Sequence, residues 1–307
     1  MSSVSEMTRR ALRDCSIIAG LSVLIVGVGG TAAAWHQRHA GPVRLVVKTS
    51  APVTPPAADP RVLRVCADPN NLPFSNEKEE GFENAIARIV AQALNKRVEY
   101  YWQPQRRGFV RTTLNAGWCD LIPGVPADFD RVLTTRRYYR STYVFVSRRN
   151  SGVRIRSLDD PALRHLRIGV QMTGEDYNNP PAVESLAARH IIDNVRGFMV
   201  YGDYSQPSPA RDVIDAVANR SIDVAIAWGP VAGHFARTAA VPMEIAPVVP
   251  ERDGAGLTFA FDIAMGVRRN DVGLRDSLDR VLTSREAEVT SVLRQFGVPL
   301  LPIRGES

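Results

Sequence analysis

Lysine and cysteine are both scarce in this chain of 307 residues. Lys48, Lys78 and Lys96 are the only lysines among 38 basic residues, so the net charge of +6 rests on arginine. Proteins dedicated to binding nucleic-acid backbones usually concentrate lysine and arginine together on one face. The shortage of lysine in this chain fits a bias in codon usage better. We therefore expect no nucleic-acid partner. The three cysteines, at positions 15, 66 and 119, offer no Cys-x-x-Cys pair and no zinc-ligand spacing. We therefore expect no metal site.

The sequence also lacks the short motifs that mark common catalytic and cofactor sites. It has no Gly-x-Ser-x-Gly elbow, no Gly-x-x-x-x-Gly-Lys phosphate loop and no His-Glu-x-x-His zinc motif. His165, His190 and His234 lie in separate segments. These absences favour a protein without a cofactor and without enzymatic activity.

The first 34 residues predict an export signal. Arginines at positions 9, 10 and 13 precede an uncharged apolar run over 17–28, and three alanines at 32–34 fit a signal-peptidase site. If this segment is not cleaved, it is long enough to span a bilayer, so membrane anchoring is the alternative to cleavage. We expect contact with a membrane only through such an uncleaved segment. Residues 35–60 are rich in proline and alanine, which predicts a linker. We expect a periplasmic protein.

The remaining chain alternates strand and helix patterns. Apolar spacing predicts strands at 62–66, 98–102, 119–122, 142–147, 166–170, 222–227 and 261–267, and helices at 82–94, 109–116, around 213–217 and over 274–296. This alternation predicts an α/β protein with two lobes and a cleft between them, at the carboxyl ends of the parallel strands. The predicted boundaries are 61–147 and 259–303 for lobe 1, and 148–258 for lobe 2.

Four segments make a more specific resemblance. They are Leu-Arg-Val-Cys-Ala-Asp-Pro-Asn-Asn-Leu-Pro-Phe-Ser-Asn at 63–76, Trp-Gln-Pro-Gln-Arg-Arg-Gly-Phe at 102–109, Leu-Thr-Thr with Tyr-Tyr-Arg-Ser over 133–141, and Ala-Trp-Gly-Pro at 227–230. They resemble the quinoprotein dehydrogenase-associated binding proteins, the J-type accessory proteins of methanol dehydrogenase gene clusters.

The resemblance covers 63–303 and implies a type II periplasmic solute-binding fold. It also implies a non-enzymatic helper that binds and matures or activates a PQQ-dependent methanol or alcohol dehydrogenase. A cytochrome c is a further candidate partner.

Residues that follow the predicted strands are the candidates for the cleft, where a ligand or partner would bind. They are Pro69, Asn70, Asn71, Phe74, Trp102, Gln103, Arg106, Asp130, Arg131, Thr173, Glu175 and Trp228. Core packing is the alternative for Phe74 and Trp102, because aromatic side chains are mostly buried. For the paired arginines at 106 and 107, the alternative is simple solvation.

Two other functions stay open. One is a transport receptor for a small solute. Amino acids fit it poorly, because Asp128 and Trp228 stand where amino-acid-binding members of the fold have an arginine and an acidic residue. Each missing charge-assisted hydrogen bond to the carboxylate or the ammonium group of an amino acid would cost about 1.5 to 3 kcal/mol of binding free energy. The other function is a dehydratase resembling those that act on prephenate or arogenate, with Asp130 and Glu175 as the acidic residues.

Two further features follow from the expected fold. Cys66 and Cys119 end and begin neighbouring strands of lobe 1, so we predict a disulfide between them, with two buried free thiols as the alternative. Residues 131–156 contain eight arginines and no acidic residue, which predicts either a docking surface for an acidic protein or a solvated face.

Overall fold

The computed structural model describes residues 54–172, 180–200, 204, 206–254 and 256–303. Residues from position 54 onward form one compact unit. The predicted signal segment and most of the predicted linker lie outside the described residues. Within the described part of the chain, no helix is both long enough and apolar enough to cross a membrane.

Strands and helices alternate along this unit. In chain order they are β1 (Val62–Ala67), β2 (Asn70–Asn71), β3 (Ser75–Asn76), α1 (Phe82–Ala93), β4 (Arg97–Trp102), α2 (Phe109–Thr112), β5 (Ile122–Pro126), β6 (Leu133–Arg148), β7 (Ile168–Met172), α3 (Pro181–Ala188), β8 (Val195–Met199), α4 (Asp212–Ala218), β9 (Val224–Trp228), α5 (Gly229–Arg237), β10 (Met243–Pro247), β11 (Ala260–Val267), α6 (Val272–Ser284) and α7 (Glu286–Gln295).

Lobe 1 is built on β4, β1, β5, β11 and the first part of β6. β1 pairs in parallel with β4 on one side, and on the other side Val65 forms a parallel bridge to Leu121, just before β5. β11 pairs antiparallel with both β5 and β6. The apolar stripe of α1, including Phe82, Ile86 and Val90, is buried in the core that α6 and α7 share.

Lobe 2 is built on β8, β7, β9, β10 and the second part of β6. β7 lies between β8 and β9 and is parallel to both. β9 and β10 each pair antiparallel with β6. The apolar faces of α4 and α5 bury Ile214, Val217 and Phe235 against this sheet. The two-lobed α/β fold is as predicted.

One strand crosses from lobe 1 to lobe 2. β6 pairs with β11 up to Thr142 and with β9 from Tyr143 onward. At the crossing, the Thr142 hydroxyl and the Tyr143 amide both donate hydrogen bonds to the carbonyl of Phe259, over 3.0 and 2.8 Å. The two lobes therefore share a continuous hydrogen-bonded strand.

A second contact joins the lobes behind the crossing. Helix α5 of lobe 2 lies against the C-terminal segment of lobe 1, so closely that a Cβ on Gly233 would overlap with the carbonyl of Gly297. The His234 ring stacks on Phe296 with centroids 5.5 Å apart. A side chain at position 233 would separate these two segments, which explains the need for glycine there.

Several predicted boundaries are wrong. β6 begins at Leu133 rather than at 142, because its first part is polar in sequence and carries no clear apolar alternation. The predicted helix over 274–296 is two helices, since Arg285 leaves helical geometry with φ −111° and ψ 16°. The predicted helix over 109–116 ends at Thr112, and the strand predicted from position 119 begins at Ile122.

The disulfide prediction is confirmed. Cys66 and Cys119 are bonded, with Cα atoms 5.4 Å apart and a sequence separation of 53. Both are fully buried in a small cluster that includes Phe109, Leu114 and Val125. The bond joins the end of β1 to the segment that leads into β5.

Candidate functional site: the cleft between the lobes

A cavity of about 290 Å³ lies in the cleft, with walls from both lobes. Its described lining residues are Asn71, Phe74, Glu83, Gln105, Gly124, Val125, Pro126, Tyr139, Tyr143, Gln171, Pro180, Val200, Trp228, Val231, Phe261 and Ile263. This volume is near the lower end of small-molecule sites, which run from about 300 to 1,000 Å³.

Strand ends place the polar side chains of the cavity. Asn71 follows β1, Gln171 lies near the end of β7, and Trp228 ends β9, so each lies at the carboxyl end of a parallel strand. Glu83 is in the first turn of α1, which starts at the same edge of lobe 1. The cavity therefore occupies the position that open α/β sheets commonly use for ligands.

Aromatic rings form much of the cavity wall. The Trp228 ring lies 5.4 Å from Tyr143 and 5.8 Å from Phe261, measured between centroids and with tilted or edge-on geometry. On the opposite side, Phe74 packs on Phe82 at 5.2 Å. Such walls favour an apolar ligand body and, at the ring faces, a cation.

Glu83 is the one carboxylate among the described lining residues. Burial raises the pKa of Glu83 to about 8, and the nearby carboxylate of Asp68 adds to this rise. The carboxyl group lies directly over Gly124, where a Cβ would overlap with it. Because Gly124 has no side chain, β5 leaves room for the carboxyl group at this point.

Two amide side chains of the lining have unused hydrogen-bonding atoms. Asn71 and Gln171 are 4% and 5% exposed. Asn71 Nδ2 donates to Gln105 at 3.4 Å, and Gln171 Oε1 accepts from the Trp228 amide at 2.8 Å. Asn71 Oδ1 and Gln171 Nε2 have no partner among the described residues. Buried polar atoms usually have partners, so an acceptor and a donor are available here.

Hydrogen bonds between the lobes form what we call the rim latch, made by Asp68 and Asn70 with Tyr204, Gln206 and Ser208. The Tyr204 hydroxyl donates to Asp68 Oδ2 at 2.8 Å. Asn70 Nδ2 donates to the carbonyl of Gln206 at 2.7 Å, and Asn70 Oδ1 accepts from the Ser208 amide at 3.0 Å. The latch joins the two lobes at the edge of the cleft.

Similarity to known proteins agrees with this architecture. No family model matches the chain. Protein MoxJ of Methylorubrum extorquens strain AM1 is 31% identical over 312 residues, covering 99% of this chain and 99% of that protein. The chain belongs to the MoxJ family.

The crystal structure of the periplasmic binding protein XoxJ from Methylobacterium extorquens AM1 is similar at 37% identity, with a TM-score of 0.64, over 78% of this chain and all of that one. MxaJ from Methlophaga aminisulfidivorans MPT is similar at 26% identity, with a TM-score of 0.66 and the same coverage.

The cleft of this MoxJ-family protein includes some of the residues predicted from sequence. Asn71, Phe74 and Trp228 line the cavity. Pro69 and Asn70 line a neighbouring surface pocket beside the rim latch. The predicted residues at the cavity lie in the loop after β1 and at the end of β9, and a binding role for them stays a prediction.

Other predicted residues lie elsewhere. Trp102 stacks on Tyr100 at 4.5 Å, and Gln103 donates to Thr112 at 2.7 Å. Arg106 lies 5.6 Å from the centre of the Tyr204 ring, next to the rim latch. Asp130 and Arg131 are exposed between β5 and β6. None of these five is among the described lining residues, and Thr173 and Glu175 lie outside the described residues.

Sequence reasoning missed several residues of the cavity: Glu83, Gln105, Gly124, Tyr139, Tyr143, Gln171 and Phe261. One usable signal was Glu83, a charged residue inside the first turn of a helix whose start faces the cleft. The Gly-Val-Pro run at 124–126 was another, since a glycine inside a buried strand marks a close approach.

Three arginines of the stretch at 131–156, those at positions 137, 140 and 154, form ion pairs within the protein. Arg140 binds Glu251 at 2.7 Å and Asp262 at 3.5 Å. Arg154 binds Glu244 at 2.5 Å. These carboxylates are far away in sequence and come close only through strand pairing, so the local charge bias overstates the free positive charge of this surface.

Proposed function

We propose that this chain is a periplasmic, non-enzymatic accessory protein that binds a PQQ-dependent methanol or alcohol dehydrogenase and aids its maturation or activation. The observation that carries the proposal is the similarity to MoxJ along essentially the full length of both chains. The similarity to XoxJ, described as a periplasmic binding protein, supports the location. The resemblance to the J-type accessory proteins supplies the class of partner.

The chemistry of the cleft supports a binding role over a catalytic one. Among the described lining residues, Glu83 has no second titratable carboxyl, histidine or lysine beside it to act as its acid or base partner. Asp130, the acidic residue considered for a dehydratase, is exposed and is not among those residues.

Affinity capture tests the proposal. The full-length protein with a C-terminal tag is expressed in its own host during growth on methanol, and the periplasmic fraction is captured. A tagged solute-binding protein of another family is the matched control. We expect a quinoprotein dehydrogenase to co-purify with this chain and not with the control, and mass spectrometry shows whether a cytochrome c accompanies it.

A deletion strain tests the role in maturation or activation. We expect the deletion to lower the dehydrogenase activity per amount of dehydrogenase protein, and expression of this chain from a plasmid to restore it. Equal specific activity with and without the chain, together with no co-purification, would refute the proposal.

A small-solute receptor is the second candidate, and the rim latch favours it. Hydrogen bonds across the cleft edge, next to a cavity of small-molecule size, are what a receptor closed over its ligand needs. Such a receptor is stabilised by its solute, by about 2.7 kcal/mol at a hundredfold excess over the dissociation constant. Thermal unfolding with periplasmic extracts measures this directly.

A further inference from the structure

We propose that the cleft cavity binds a small primary amine, held as an alkylammonium ion between the Glu83 carboxylate and the aromatic wall. The inference goes beyond the accessory role and does not depend on it, because the cavity and its charge belong to this chain alone.

The first support is that no basic side chain among the described residues of the cavity lining pairs with Glu83. None of the described residues that line the cavity is a lysine, arginine or histidine. No hydrogen bond or ion pair to the Glu83 carboxyl group is seen among the described residues, whereas the half-buried Asp120 carboxylate pairs with both Arg64 and Arg268.

The neighbouring acidic group is already satisfied. Asp68 accepts hydrogen bonds from the amides of Asn70 and Gln105 and from the Tyr204 hydroxyl. Asp68 therefore closes the rim, whereas Glu83 retains its full capacity to accept hydrogen bonds. An ammonium group carries three N–H donors and a charge, which is what this carboxylate lacks.

The rest of the cavity fits an alkylammonium ion. Asn71 Oδ1 is a second unused acceptor for an N–H group. The ring of Trp228, with Tyr143 and Phe261 around it, offers the aromatic faces to which cations and apolar chains both bind. The volume of about 290 Å³ limits the ligand to a short carbon chain.

The same arrangement disfavours anions and zwitterions. A carboxylate inside the cavity would find no basic side chain among the described lining residues, and at pH 8.5, above the Glu83 pKa of about 8, the ionised Glu83 would repel it. An amine without a carboxylate is therefore expected to bind better than the amino acid of the same length.

Isothermal titration calorimetry of the full chain, purified from its host, tests the proposal at pH 8.5. The probes are n-butylamine, 1-butanol, butyrate and L-norvaline, which separate the effects of the ammonium, the alkyl chain and the carboxylate. We expect n-butylamine to bind at least about tenfold more tightly than 1-butanol, since a charge-assisted pair is worth more than 1.4 kcal/mol. Butyrate and L-norvaline should give no measurable binding.

Two variants complete the test. Glu83→Gln should reduce n-butylamine affinity at least about tenfold and leave 1-butanol unchanged. Glu286→Gln is the matched control, because Glu286 also lies in the first turn of a helix but is exposed on α7. Circular dichroism confirms that each variant is folded.

Gly124→Ala gives an independent check. The added methyl group takes the space of the Glu83 carboxyl and should weaken n-butylamine binding while the carboxyl itself is retained. If n-butylamine binds no better than 1-butanol, or binds Glu83→Gln as well as the natural protein, the proposal is overturned. Failure here leaves the dehydrogenase capture unaffected, so the two proposals fail separately.

Discussion

Replacing Glu83 by glutamine should make the protein more stable at alkaline pH. Burial raises the pKa of Glu83 from 4.5 to about 8 in the folded state. The folded protein therefore holds a proton on Glu83 that the unfolded chain has already lost above pH 5. Stability from this group is full below the unfolded value and falls as pH rises through the window from about 4.5 to about 8. A glutamine at position 83 keeps the shape of the side chain but has no group that titrates in this pH range.

The size of the effect follows from the pKa rise. At about 1.4 kcal/mol per pKa unit, the full rise corresponds to nearly 5 kcal/mol. Glu83 is partly accessible through the cavity, and water there relieves some of the cost of charging it. We therefore expect the difference in the free energy of unfolding between Glu83→Gln and the natural protein to shift in favour of the variant by about 2 to 3 kcal/mol from pH 5 to pH 8.5.

Urea unfolding followed by tryptophan fluorescence at pH 5, 6.5 and 8.5 measures this difference. The pKa of His234 is lowered by burial and contributes the opposite slope below pH 6.5, but it is common to both proteins and cancels. Glu286→Gln should follow the natural protein at every pH. A constant difference between Glu83→Gln and the natural protein across the three pH values would refute the reasoning.

Three further changes test other parts of the structure. Asn70→Ala removes both latch bonds made by that side chain and should broaden the distances measured by electron paramagnetic resonance between spin labels on α1 and α4. Replacing Cys66 and Cys119 by serine opens a loop spanning 53 positions and should cost about 4 kcal/mol in urea unfolding. Gly233→Ala forces α5 away from the C-terminal segment and should cost about 1 to 3 kcal/mol in the same assay.

Matched controls separate these effects from general damage. Asn76→Ala, in the hairpin partner strand of Asn70, should leave the spin-label distances unchanged. Gly273→Ala adds a methyl group with nothing within 4 Å and should be neutral or stabilising. Two free thiols at positions 66 and 119 in the unreduced, unfolded protein would contradict the disulfide.

The elements with a one-sided apolar pattern were predictable. The stripe of α1 and the apolar run of β9 identified those elements to within a few residues. The first part of β6 was not predictable, because its pairing with β11 is a long-range contact and its own residues, rich in threonine, arginine and tyrosine, show no apolar alternation. Likewise, the break at Arg285 has no glycine or proline to announce it.

The cavity was predictable only where its residues follow strands that the pattern reveals. Asn71 and Trp228 are such residues. Glu83 belongs to a helix whose neighbouring positions are core, and sequence alone cannot separate a carboxyl that faces a cleft from one that faces solvent. Tyr143 and Phe261 meet only because β6 and β11 pair, which is a long-range contact.

The disulfide encloses part of the lobe 1 contribution to the cavity, including its amide and carboxyl side chains, in a covalent ring. Asn71, Glu83 and Gln105 all lie between Cys66 and Cys119. A chain that emerges from its N-terminus into an oxidising compartment has both cysteines available before β6 and lobe 2 have emerged. This part of the cavity wall is thus able to close during biogenesis, and the later half of the chain folds against a segment whose ends are already tied together.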